Sequence, residues 1–153
     1  MGDIPPSKIV ALAERTSLMT AITDWVTAEV LRQLICWRSV GIMLPVSINV
    51  TVSDFLAPGF ADVLEAKVLA AGLTPADLRI ECLETEKVLE SATALQELDM
   101  LKLRGFKILL DDFGAGYSNI NYLRRIPIDI IKLDRTLISQ ITRDTGSRVI
   151  ARN

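Results

Sequence analysis

The chain has 153 residues, half of them hydrophobic and 24% charged, which suits one folded domain and excludes a disordered segment. Its net charge of −2 gives no basic footprint for a nucleic-acid polymer. It has no histidine, which excludes His-ligated zinc, Ser-His-Asp triads and Cys-His dyads, so acid–base or metal chemistry must rest on Asp, Glu, Lys, Asn, Tyr or backbone.

The first residues, Met1-Gly2-Asp3-Ile4-Pro5-Pro6, have neither the basic start nor the apolar stretch of a signal peptide. The apolar runs are short and interrupted by charges, so no transmembrane segment is expected. Cys36 and Cys82 both lie in apolar patterns and are expected to be buried, reduced thiols of a cytoplasmic protein. Residues 7–18 are predicted to be helical, with Ile9, Val10, Leu12 and Ala13 apolar. A longer helix is predicted over 20–40, where Ile22, Trp25, Val26, Val30, Leu34 and Trp37 recur at helical spacing before Gly41 ends it. The run 44–50 is short, apolar and β-branched, hence a strand. Residues 53–71 read as a helical region broken at Pro58-Gly59 and stopped by Gly72, and Thr74-Pro75-Ala76-Asp77 as a turn or helix start. A second strand is predicted over 78–84 and a helix over 92–104, whose apolar face is Leu95, Leu98, Met100, Leu101 and Leu103 and which ends at Gly105. A third strand over 106–112 leads into a glycine-rich loop and a short helix near 120–124. A fourth strand follows over 128–133, and a last helix starts after Asp134.

Strand–helix–strand repetition implies parallel strands with right-handed crossovers, and the near-continuous apolar strands suit a sheet covered on both faces. The fold class is α/β, with four to five parallel βα units. Four strands make either a small open sheet or about half of a (β/α)8 barrel, which when complete takes about 250 residues.

Each strand ends in acid, amide or lysine: Asn49, then Glu81 and Glu84, then Asp111 and Asp112, then Lys132 and Asp134. In parallel α/β folds these ends share one rim, where ligands bind. Several carboxylates there repel one another unless a cation sits among them, and an oxygen-only donor set suits Mg²⁺ or Mn²⁺. Asp111 and Asp112 are adjacent and should face opposite ways in ideal strand geometry. Glu81 and Glu84 cannot both face one side of a regular strand, so one should ligate while the other contacts a loop. Lys132 could orient a water or stabilise negative charge on a phosphate. Asp134, before Arg135-Thr136, and Asp54, beside Phe55, also suit helix capping.

The segment Asp111-Asp112-Phe113-Gly114-Ala115-Gly116-Tyr117-Ser118, followed by Tyr122-Leu123, Pro127, Asp129 and Lys132-Leu133-Asp134, resembles the DDFG(T/A)GYSS…YL…P.D..KID stretch of EAL domains. Ala13-Glu14, Asn49-Val50-Thr51 and Glu81-Cys82-Leu83-Glu84-Thr85 resemble earlier family segments, in order and at family spacing. Leu83 stands where the family has Thr, and the Glu-Ala-Leu segment and the late Glu and Gln of the last strands lie outside this sequence.

The resemblance implies that residues 1–153 form a partial EAL domain, part of a (β/α)8 barrel that hydrolyses cyclic-di-GMP to pGpG with two Mg²⁺ or Mn²⁺ ions. It further implies Asn49, Glu81, Asp111 and Asp112 as metal ligands and Lys132 as the residue that positions water or phosphate. Glu84 would anchor the loop that starts at Phe113, and Asp134 would lie near substrate. With both ends of the barrel outside the chain, little activity is expected of it alone. The alternative is a degenerate module that binds nucleotide or a protein without turnover. A partial barrel should also expose two strand edges and an uncovered apolar interior, so pairing with another copy, or with the rest of its own barrel, is expected.

Overall fold

The computed structural model describes residues 5, 8, 12–13, 18–83, 88, 90–114 and 125–136. The four apolar runs form strands β1 (Val46–Asn49), β2 (Leu78–Leu83), β3 (Lys107–Phe113) and β4 (Ile130–Leu133). Between them lie α1 (Leu18–Ser39), which precedes β1, then α2 (Val52–Phe55), α3 (Phe60–Ala70), a 3-10 turn at Pro75–Asp77, and α4 (Ala92–Leu103). The helix predicted over 7–18 and the one near 120–124 fall largely or wholly outside the described residues.

All strand pairs are parallel, in the order β1-β2-β3-β4. Sequential order without reversal is the winding of a barrel, whereas a doubly wound sheet reverses at a switch point. Burial agrees with barrel winding. Ile48, Ile80, Ile108 and Leu110 are buried on one face among residues of the helices, with Leu98 and Leu101 of α4 and Leu64 and Val68 of α3 in the same core. Phe55 closes this layer, its ring meeting Phe60 edge-on at 5.8 Å. The expected partial barrel is therefore what the strands form, and among the described residues the helices lie on its outer face.

Strand alternation and register put Ser47, Asn49, Arg79, Glu81, Leu109, Asp111, Ile130 and Lys132 on the other, inner face. That face is mostly polar, which corrects the expectation of an uncovered apolar interior. Its polar character follows from β1 and β2, where Ser47, Asn49, Arg79 and Glu81 alternate with apolar residues. Among the described residues β1 and β4 are the edges of the sheet, and Ile130, Ile131 and Leu133 are partly open to solvent.

Helix ends fall where glycines allow. Gly41 (φ 81) lets its own N–H reach Arg38 O and that of Ile42 reach Trp37 O, and Gly105 (φ 94) repeats the pattern onto Lys102 and Leu101. Two helix faces differ from the apolar-spacing reading. Trp25 is 69% exposed and Leu103 is 79% exposed, while α1 buries Thr23, Thr27, Leu31 and Leu34. The two threonines are tolerated inside because each hydroxyl donates: Thr27 to Thr23 O at 2.7 Å, Thr23 to Asp54 at 3.0 Å. Cys36 is exposed and only Cys82 is buried, because Cys36 lies across α1 from that buried stripe.

Candidate active site

The rim is built by three adjacent strands and a bulge. Asn49 lies opposite Glu81, and Leu83 opposite Asp111. Between Leu110 and Phe113, β3 uses one residue more than β4 does from Ile131 to Leu133. The extra residue is Asp112, in the left-handed region at φ 54, which Asp tolerates better than most side chains. This changes the expected geometry of the Asp pair. Asp111 keeps the inner face, Asp112 is exposed on the bulge, and Phe113 returns to the core.

Lys132 reaches across to these acids. Its Nζ lies 2.5 Å from Glu81 Oε1 and 3.8 Å from Asp111 Oδ1. The Glu81 side chain is only 8% exposed, so this is a largely desolvated contact on the acid's side. The hydrogen bond to Glu81 holds the Lys132 pKa above the ordinary lysine range, with the charges of Glu81, Asp111 and Asp112 adding to it against the opposing effect of burial.

The backbone around Asn49 is fixed from both sides. Val50 N–H donates to Glu81 O at 2.9 Å. Beyond it, Asp54 Oδ2 accepts from the Thr51 N–H (2.9 Å), the Thr51 hydroxyl (2.8 Å) and the Thr23 hydroxyl of α1 (3.0 Å). Asp54 is fully buried, so its capping of α2 also ties α1 to the end of β1. The Thr–x–x–Asp spacing signals the cap; the partner in α1, 31 residues away, has no local signal. Asp134 likewise caps: its Oδ1 accepts the Thr136 N–H at 2.7 Å and the Thr136 hydroxyl, and its own N–H bonds Phe113 O at 2.9 Å, which keeps it on the same rim.

At the opposite end of the sheet, Asp129 accepts from Ile108 N–H, Lys107 and Lys102, and ties β3, α4 and the approach to β4 together. Cys82 faces away from the rim. Burial pushes its thiol up to about 12 and its Sγ donates to Leu109 O at 3.4 Å, so it supplies neither a nucleophile nor a metal ligand.

Of the site residues expected from sequence, the structure brings Glu81, Asp111 and Lys132 together, with Asn49 next to Glu81 in the sheet. Asp112 is exposed on the bulge, where its charge still acts on Lys132. Glu84, the loop from Ala115 and Tyr122 lie outside the described residues. Among the described residues no group of three or more Cys, Asp or Glu side chains is arranged to hold a metal ion. The donor chemistry nevertheless fits one hard cation, because two carboxylates share a single positive group and an amide stands beside them, all of them oxygen donors. Among the described residues no helix is long and apolar enough to cross a membrane.

Comparison with known proteins agrees with this geometry. The EAL domain family matches residues 1–153. A cyclic di-GMP phosphodiesterase of Pseudomonas aeruginosa is 41% identical over 148 residues, 94% of this chain and 24% of that protein. The bifunctional diguanylate cyclase/cyclic di-GMP phosphodiesterase MucR of the same organism is 32% identical over 150 residues, 97% of this chain and 22% of that protein. Among solved structures, a c-di-GMP complex of the MucR phosphodiesterase superposes with a TM-score of 0.81 at 32% identity, covering 96% of this chain and 60% of that one. The Xanthomonas citri FimX EAL domain in complex with c-di-GMP gives 0.82 at 25% identity, covering 97% and 58%. The chain thus spans less than a quarter of these curated relatives and about three fifths of these solved chains. A parallel, singly wound sheet with acids at its strand ends and a family match over its whole length lead to one conclusion: the chain belongs to the EAL domain family.

Proposed function

We propose that the strand-end rim is the cation and nucleotide site of a cyclic-di-GMP phosphodiesterase, hydrolysing the dinucleotide to pGpG in the intact protein. The observation that carries the reading is the Lys132 ammonium shared by Glu81 and Asp111, two inward carboxylates poised for a positive charge. Asn49, Glu81 and Asp111 would hold one ion and Asp112 would contribute to a second. Bound Mg²⁺ or Mn²⁺ would supply Lewis acidity toward the phosphate oxygens. Lys132 orients the attacking water or stabilises charge developing on the phosphate, since its ammonium lies at the centre of the acids. Asp134, fixed at the same rim, borders the nucleotide. By the family resemblance Glu84 would anchor the loop beyond Phe113.

The residues on this chain supply part of such a site, so binding with little turnover is its own expected behaviour. Binding without any turnover is the second reading. It is favoured by Leu83, which sets an aliphatic residue opposite Asp111 where the family pattern has Thr. The test is calorimetric titration of cyclic-di-GMP into the chain with Mg²⁺, repeated with EDTA and with Glu81→Gln, followed by chromatography of the mixture. Mg²⁺-dependent heat that Glu81→Gln abolishes supports the site, and the presence or absence of pGpG separates the two readings. Binding that EDTA and Glu81→Gln leave unchanged refutes the cation site and leaves only the second reading, and no binding at all refutes both.

A further inference from the structure

We infer that Lys132 is a built-in counter-cation, a clamp whose ammonium balances Glu81 and Asp111 and competes with a divalent ion for them. The inference rests on the cation-site reading above and adds a competition to it. Glu81 and Asp111 lie on the same face of neighbouring strands, and Glu81 is nearly desolvated, so their mutual repulsion needs neutralising in every state of the protein. Lys132 supplies the neutralising charge: at 2.5 Å its Nζ occupies the side of Glu81 Oε1 that faces Asp111 and the rim. A dication on that carboxylate and an ammonium 2.5 Å from it repel each other, so the two compete for it.

The geometry leaves Lys132 free to leave. Its side chain is 44% exposed, and it sits on β4, an edge strand of the described sheet. Its longer contact to Asp111, at 3.8 Å, shows that Glu81 is the principal holding point. Metal affinity in this chain is therefore reduced by the strength of its own internal ion pair. Occupancy by metal frees an amine at the rim, where the phosphate would lie.

The test is Mn²⁺ binding, followed by electron paramagnetic resonance of the free ion, to the 153-residue chain and to Lys132→Met and Lys132→Arg. The expected result is that Lys132→Met binds Mn²⁺ about fivefold tighter, the equivalent of one partly exposed ion pair, while Lys132→Arg does not. A Lys132→Met variant that binds Mn²⁺ equally or more weakly overturns the clamp and leaves the cation site standing. Mn²⁺ binding by Lys132→Met but not by the unaltered chain supports the clamp most strongly. No binding by any form overturns both the clamp and the site. A second measurement needs no variant: Mn²⁺ is expected to raise the rate of reductive methylation at Lys132, read by peptide mass spectrometry. An unchanged rate under saturating Mn²⁺ also overturns the clamp.

Discussion

Asp129→Asn isolates an electrostatic hub without altering its shape. The Asp129 side chain is 12% exposed and accepts from Ile108 N–H at 3.0 Å, Lys107 at 3.0 Å and Lys102. Burial alone would raise its pKa. The hydrogen bonds from Lys102, Ile108 N–H and Lys107 overcome this and bring it from 3.8 down to about 2. A folded pKa below the unfolded one means stability that is fully present above about pH 4 and is lost as the pH falls through about 2. At about 1.4 kcal/mol per unit, the drop corresponds to about 2 kcal/mol at neutral pH. The asparagine keeps an acceptor for Ile108 N–H but not the charge, so about 1–2 kcal/mol is the expected loss. Urea unfolding followed by far-ultraviolet circular dichroism should show that loss at pH 7, unchanged at pH 5 and largely gone by about pH 2. Equal destabilisation of the variant at pH 7 and pH 2, or none at pH 7, would refute the assignment of Asp129 as a charge-stabilised hub.

Other perturbations address the frame around the rim. Phe55→Ala removes a fully buried ring stacked edge-on with Phe60 and should cost about 3–5 kcal/mol in urea unfolding. Glu97 is buried and accepts the N–H groups of Gly59 (2.7 Å) and Ala61 (2.9 Å) at the start of α3. Glu97→Ala strands both donors and should cost about 1–3 kcal/mol by the same assay, whereas a surface-like cost near zero would show that water replaces the carboxylate. At the bulge, Asp112→Gly should leave the thermal midpoint unchanged or higher. Asp112→Val should lower stability by about 1–2 kcal/mol, because a β-branched side chain resists φ 54.

Much of the frame was legible in sequence because it depends on local signals. The β-branched runs and the glycines at 41, 72 and 105 locate strands and helix ends to within about two residues. The βα alternation alone fits a parallel open sheet as well as a partial barrel; the resemblance carried by the Asp111–Asp134 stretch points to the barrel, and the unreversed strand order agrees. Helix faces were misread wherever a buried polar residue competes with an apolar one. Thr23 and Thr27 point inward and Trp25 outward, and Glu97 lies inside while Leu103 lies outside. Spacing rules count apolar residues, whereas these burials are set by hydrogen-bond partners such as Asp54 or the start of α3, far away in sequence. The acids of the rim stood out as strand-end residues. Strand alternation foresees that Asp111 and Asp112 diverge, but not the bulge that exposes Asp112 and returns Phe113 to the core.

The most direct test of the central claim is paramagnetic mapping of the cation site on the isotopically labelled chain. Substoichiometric Mn²⁺ should broaden the backbone amides near Asn49, Glu81, Asp111 and Lys132 and leave those around Asp62, Glu65 and Asp129 sharp, with the broadening lost in Glu81→Gln. Broadening centred on those outer acids instead, or at the rim but indifferent to Glu81→Gln, would contradict it.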